Sequence, residues 1–261
     1  MAARIARSVG AVVALLFLDY LLLAGIGYLL TKTLEKTSFI RWDSQVIRDF
    51  VGSRTTVMND VTYWFSALGN TQAVIGALLI VAVGLKIAAK RWEPSLFLLT
   101  AVAGQALVFL VVQLTISRQR PQVKQLDHSP PTSSFPSGHT GAAVALFFAS
   151  ALLVLWLVRT SWLRILTAIV FVAVPFLVAY GRMYRGMHHP TDVMGAAING
   201  IITVTVAAGV ILGRGPLARL RPDGGVADPI EATLDDGGSH SLTAGHGGSR
   251  RAGSGVTPAA R

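Results

Sequence analysis

Three short segments hold the residues able to do chemistry: "SRQRP" at 117–121, "PSGH" at 136–139 and "GRMYRGMHHPTD" at 181–192. In "PSGH", Pro136 is extended ahead of a helix, Ser137 is a favoured N-cap and Gly138 allows close backbone approach. The N–H groups of Gly138, His139 and Thr140 are then left free at a helix start. Such a terminus binds anions, and His139 in its first turn can hand a proton to whatever is bound. In the third segment Pro190 suits the first helical position, which puts Asp192 in the first turn and within reach of His188, four residues earlier. A carboxylate that holds an imidazole fixes its tautomer and raises its basicity, so His188 is a candidate nucleophile. Arg120 and Arg182 supply planar, permanently charged forks that match phosphoryl oxygens. Singly these are a serine cap, a dipole-complementing aspartate and interfacial arginines. Together they fill every role of a phosphoryl-transfer site.

The elements that must position them are membrane helices. The chain is 52% hydrophobic and only 14% charged, against about a quarter charged in a soluble domain. Its apolar residues gather at about 9–30, 62–86, 95–117, 139–158, 162–181 and 191–213, each near the length that crosses about 30 Å of hydrocarbon. The expected fold is therefore all-α with six transmembrane helices. The first run follows "MAARIAR", is too long for a signal-peptide core and has no small-residue cleavage site, so it reads as a retained anchor. If the runs alternate in direction, Arg4, Arg7, Lys86, Lys90, Arg91, Arg159, Arg164 and Arg214 share one side. The positive-inside rule makes that side cytoplasmic, with both termini. The three chemical segments then meet at the extracytoplasmic face of a multi-pass plasma-membrane protein, and His128, His139, His188 and His189 lie there too.

Several function classes drop out. The net charge of +10 is dispersed through loops instead of lining one aromatic-studded face, so nucleic acid is not expected as a partner. The lack of cysteine excludes disulfides, thiol catalysis and thiolate metal sites. Polar residues within the runs, Asp19, Asn70, Gln72 and Gln105, read as interhelical hydrogen-bonding groups. Residues 41–52 form an amphipathic helix, lying either in the headgroup layer or as a cap on the bundle. From about Pro216 the chain is rich in Gly, Ser and charge, so the expected domains are a membrane unit at 1–214 and a disordered cytoplasmic tail at 215–261, with His240 and His246 solvated. No feature of the sequence selects an oligomeric state.

Arg120 with Pro121, Pro136 to His139, and Arg182, His188 and Asp192 at their spacing resemble the three-part signature of the type 2 phosphatidic acid phosphatases, a superfamily that includes the vanadium haloperoxidases. The resemblance covers roughly residues 1–214. It implies His188 as the nucleophile of a phosphohistidine, Asp192 as its orienting acid and His139 as proton donor and then base. Arg120, Ser137, Gly138 and Arg182 would hold the phosphate, with no metal and no other cofactor. Two positions depart from the family pattern. Gln113 stands where a lysine is usual, able to donate a hydrogen bond but adding no charge unless Arg118 or Lys124 swings in, and Gly181 replaces a serine. The expected activity is hydrolysis of a lipid phosphate or pyrophosphate in the bilayer: a polyprenyl pyrophosphate, phosphatidylglycerophosphate, phosphatidic acid or diacylglycerol pyrophosphate. The alternatives are a weak or inactive relative that binds lipid phosphate, or a phosphate-binding transporter.

Overall fold

A computed structural model describes residues 2–128 and 131–213. The expected tail at 215–261 lies outside the described residues. Eight α-helices follow in order: α1 (Ala2–Tyr28), α2 (Ser38–Gly52), α3 (Thr56–Ala67), α4 (Thr71–Ala89), α5 (Glu93–Thr115), α6 (Gly138–Leu157), α7 (Ser161–Tyr184) and α8 (Pro190–Ala207). A wider π turn extends α1 through Thr33 and α8 through Leu212. Six of the helices are long and apolar enough to cross a membrane, over Val9–Thr33, Thr71–Ala89, Glu93–Thr115, Gly138–Leu157, Ser161–Tyr184 and Pro190–Leu212.

The second span starts later than the apolar run suggests. Residues 62–67 belong to α3, and the chain breaks at Leu68, Gly69 and Asn70 before α4 begins. Asn70 causes the break: its side chain accepts from the Gln72 N–H at 3.2 Å and caps α4. It is therefore a helix cap and not the interhelical polar group expected of it. Gly69 has its own reason, since a Cβ there would sit 2.7 Å from the His139 carbonyl oxygen. The turn is thus pressed against the start of α6. Asp19 departs from expectation as well, being buried in α1 with neither carboxylate oxygen hydrogen-bonded among the described residues.

The interior lies along α6 and α8. Small residues let these two approach closely: a Cβ on Gly200 would come within 2.6 Å of Val144, the small-residue packing that membrane helices favour. Around them Phe97, Leu98, Leu146, Leu153 and Val204 fill one core, while Leu23, Val108, Val112 and Phe135 fill a second nearer the loops. α6 and α8 begin at the same end of the bundle, and the Ser137 N–H donates to the Asp192 carbonyl at 3.1 Å. Two positive helix termini are therefore clamped side by side, above the ends of α1, α5 and α7.

α2 is a cap on the bundle, the second of the two readings. Its Asp43 and Ile47 are fully buried against the bundle. Phe39 and Trp42 stay exposed and stack on each other. Arg54, in the connection to α3, donates to the Tyr184 carbonyl through Nε and Nη2 and to the Lys124 carbonyl through Nη1 at 2.6 Å. It ties the end of α7 to the α5–α6 loop.

Candidate active site

At this end of the bundle a cavity of about 620 Å³ runs down between α4 and α5. Val74, Ile75, Val102, Ala106 and Phe109 make its apolar walls. Its polar end is formed by Arg120, Asp127, Gly138, His139, Arg182 and His188, with Gln113 beside them. Ser137 and Asp192 are fully buried behind the lining.

His188 follows the end of α7 and precedes Pro190, so two helix ends fix its backbone. Its Nδ1 is 2.8 Å from the Ser134 carbonyl oxygen. A carbonyl only accepts, so Nδ1 carries the proton and Nε2 keeps its lone pair. That Nε2 lies 3.4 Å from Arg120 Nη1, on the cavity side. Burial drives His188 down to about pKa 4 against the opposing pull of Asp192, so the imidazole is neutral at neutral pH.

The direct His188–Asp192 hydrogen bond expected from the spacing is replaced by a relay. Asp192 Oδ2 is 3.7 Å from His188 Nδ1, outside hydrogen-bond range. The same oxygen accepts from Ser134 Oγ at 2.5 Å and from the His189 N–H at 2.8 Å, with His189 Nδ1 at 3.3 Å. Asp192 therefore fastens Ser134, and the Ser134 carbonyl fastens His188. The His189 contacts complete a capping box at the start of α8.

Arg182 reaches the cavity from α7. Its Nη1 donates to Ser66 Oγ at 2.9 Å and to Asp127 Oδ2 at 3.0 Å. Asp127 also takes Arg185 Nη2 at 2.6 Å. Burial raises the Asp127 carboxyl, but its bonds to Arg185 and the charge of Arg182 outweigh this and hold it below the usual carboxylate value. The Nε–H groups of Arg182 and Arg120 are buried and unpartnered among the described residues. An unmet buried donor is costly, so this pair wants an acceptor.

Around "PSGH" the cap forms as expected, with one change. Ser137 Oγ accepts from the Thr140 N–H at 3.5 Å and pairs with Thr140 Oγ1 at 3.0 Å. Thr140 is therefore not free, and Ser137 is occupied as a cap away from the cavity wall. Gly138 and His139 remain at the wall. Gln113 also turns away from the expected anion. Its Nε2 donates to the carbonyls of Ser133 at 3.1 Å and Pro136 at 3.2 Å, leaving Oε1 buried and unpartnered. Here it braces the loop that enters α6.

The residues missed by sequence reasoning lie behind the site. Arg118 was weighed as a spare cation for phosphate, but it is buried and committed: Nη2 donates to Asp43 Oδ2 at 2.6 Å, and Nη1 donates to Thr191 Oγ1 at 2.6 Å and to Asp192 Oδ1. Asp43 also accepts from the Thr191 N–H at 3.1 Å and Oγ1 at 2.8 Å. No local signal in "SRQRP" separates Arg118 from Arg120, since residues two apart in extended chain share a face. Here Arg118 turns inward to the carboxylates while Arg120 meets the cavity.

With this geometry in place, comparison with known proteins is decisive. The PAP2 superfamily profile matches residues 67–215, more than half of the sequence. The chain belongs to the PAP2 superfamily. Phosphatidylglycerophosphatase B of Bacillus subtilis (strain 168) is 27% identical over 195 residues, 74% of this chain and 92% of that protein. The crystal structure described as the first transmembrane PAP2 type phosphatidylglycerolphosphate phosphatase from Bacillus subtilis is 26% identical. It superposes with a TM-score of 0.64 over 74% of this chain and 92% of that one. Aquifex aeolicus LpxE is similar in fold, at 22% identity and a TM-score of 0.51 over 62% of this chain and 92% of its own. This PAP2 chain is thus a multi-pass membrane lipid phosphatase, and its Arg120, Gly138, His139, Arg182 and His188 line one cavity.

Proposed function

We propose that this PAP2 enzyme hydrolyses phosphatidylglycerophosphate or a closely related lipid phosphate by a metal-independent, two-step route through a phosphohistidine. The observation that carries the reading is the orientation of His188: neutral, its Nδ1 proton held by the Ser134 carbonyl, and its Nε2 lone pair beside Arg120 on the cavity side. The phosphate group would take the unpartnered Nε–H groups of Arg120 and Arg182 together with the Gly138 and His139 N–H groups at the start of α6. His188 Nε2 attacks phosphorus in line, an N–P bond forms, and the bond to the leaving oxygen breaks as His139 protonates it. Water then attacks phosphorus, His139 takes its proton, and the N–P bond breaks to release inorganic phosphate. Two moderate barriers replace one high one, with positioning and charge stabilisation supplying most of the acceleration.

The apolar groove between α4 and α5 would take the start of the lipid tails, so the headgroup reaches the site from the bilayer. The likeness to a phosphatidylglycerophosphatase puts that headgroup first among the candidates. Lys86, Lys90, Arg91, Arg159 and Arg164 gather at the far end of the spans, which supports an active site facing away from the cytoplasm.

The test is phosphate release from a panel of lipid mono- and pyrophosphates in detergent, with and without a chelator. The expected result is turnover that chelator leaves intact and that His188→Ala abolishes while the protein still assembles in membrane. Wild-type turnover by His188→Ala, or a strict metal requirement, would overturn the mechanism.

A further inference from the structure

A second cavity, of about 510 Å³, opens at the same end of the bundle between the end of α1, α2 and the segment 117–123. Its wall includes Lys32, Arg48, Arg120 and His189, with Glu35 as the one carboxylate, and Leu30 and Ile40 give it an apolar side. The Arg118 charge facing it is more than balanced by the two buried carboxylates of Asp43 and Asp192, so it adds nothing to the pull on an anion. Arg48 has Nε and Nη2 on Gln45 Oε1, and Nη1 has no protein partner among the described residues. His189 is buried, with Nδ1 turned to Asp192. The catalytic route above uses none of Lys32, Arg48 or His189. Arg120 lines both cavities.

We propose that this cavity is a second phosphate-binding seat, which takes the phosphodiester of an anionic phospholipid headgroup and inhibits turnover when filled. Three cationic side chains set against one carboxylate select an anion, and the guanidinium fork of Arg120 matches phosphate oxygens. Leu30 and Ile40 offer the apolar wall that a glycerol backbone needs and a free phosphate does not. The end of a membrane span and the exposed Phe39 and Trp42 pair place the opening at headgroup depth. Inhibition follows from the shared arginine. An anion in the second seat draws on the charge that the substrate phosphoryl group needs, and that loss falls on the transition state.

The inhibition rests on the lipid phosphatase reading, so two readouts are needed. The first is kinetic: the full chain acts on a short-chain soluble lipid phosphate in phosphatidylcholine nanodiscs with increasing phosphatidylglycerol, and in a separate arm with increasing inorganic phosphate. Phosphatidylglycerol should lower kcat several-fold; because the dephosphorylated lipid can also re-enter at the phosphohistidine, the component that belongs to the second seat is the part removed by substitution in that seat alone. The Lys32→Gln/Arg48→Gln variant should keep its basal kcat and lose that component. The second is independent of turnover: mass spectrometry of the intact protein should find one phosphatidylglycerol fewer retained by the variant. A kcat effect of inorganic phosphate alone would make free phosphate the occupant and overturn the lipid assignment. Purely competitive inhibition with equal lipid retention would overturn the seat. Retention that differs in a protein without turnover would uphold the seat and sink the phosphatase reading instead.

Discussion

The guanidinium of Arg118 bridges Asp43 of the α2 cap and Asp192 in the first turn of α8, and both carboxylates are fully buried. A helix outside the membrane core is thereby coupled to the residue that organises His188. Removing Asp43 leaves Arg118 paired with Asp192 but takes the acceptor from Arg118 Nη2 and from the Thr191 N–H and hydroxyl, and a buried donor left unmet costs about 1–3 kcal/mol. Asp43→Ala should therefore lower the unfolding temperature in detergent and also reduce kcat, because Arg118, which holds Asp192, is then anchored on one side only. A variant with wild-type stability and turnover would show that α2 is not coupled to the site.

Asp192→Asn tests the relay through Ser134. The amide keeps the shape but turns a donor toward groups that are themselves donors, so the Ser134 loop shifts and His188 loses its fixed tautomer. A fall in kcat of up to about 10⁴-fold is expected, the loss that follows when a triad aspartate is changed to asparagine. Ser134→Ala should cost less, since the carbonyl that holds His188 belongs to the backbone. Equal losses in the two variants would argue that the hydroxyl carries the whole effect.

Gln113→Lys should give equal or higher kcat/KM. An ammonium can donate to the same Ser133 and Pro136 carbonyls that Nε2 now reaches and adds a charge near the phosphate. Gln113→Leu should lose activity by freeing the loop that enters α6. A large loss in the lysine variant would mean that the buried Oε1 has a role of its own.

The depressed His188 value sets a pH window. Burial lowers the group from 6.5 in the unfolded chain to about 4 in the folded one. Between those values the unfolded state binds a proton that the folded state refuses, so this contribution to stability falls as pH drops from about 6.5 toward 4 and is constant above. Thermal unfolding of wild type and His188→Gln across this range should show a steeper acid loss in wild type. Parallel curves would mean that His188 is not held neutral.

Much of the site was legible in order along the chain. "PSGH" announced a helix cap, Pro190 and Asp192 announced the start of α8, and Arg120 and Arg182 stood out as cations at span ends, because local backbone chemistry and hydropathy decide these features. The break at Gly69 and Asn70 was hidden inside an apolar run. Its cap, Asn70, is a local feature, but the close approach of the His139 carbonyl, which leaves no room for a side chain at Gly69, is not.

The amino-acid sequence by itself determined six spans, the helix starts at Ser137 and Pro190, and three ordered segments that carry cations and histidines at span ends, since helix length, capping and charge are properties of neighbours along the chain. Only the tertiary structure decided that Arg118 faces Asp43 and Asp192 while Arg120 faces the cavity, that Ser134 stands between Asp192 and His188, and that Gln113 braces a loop. Each of those outcomes depends on which buried polar group finds its partner across 20 to 75 residues of chain. That pairing is set by the packing of α2, α5 and α8, where leaving a donor or a charge unmet is most costly.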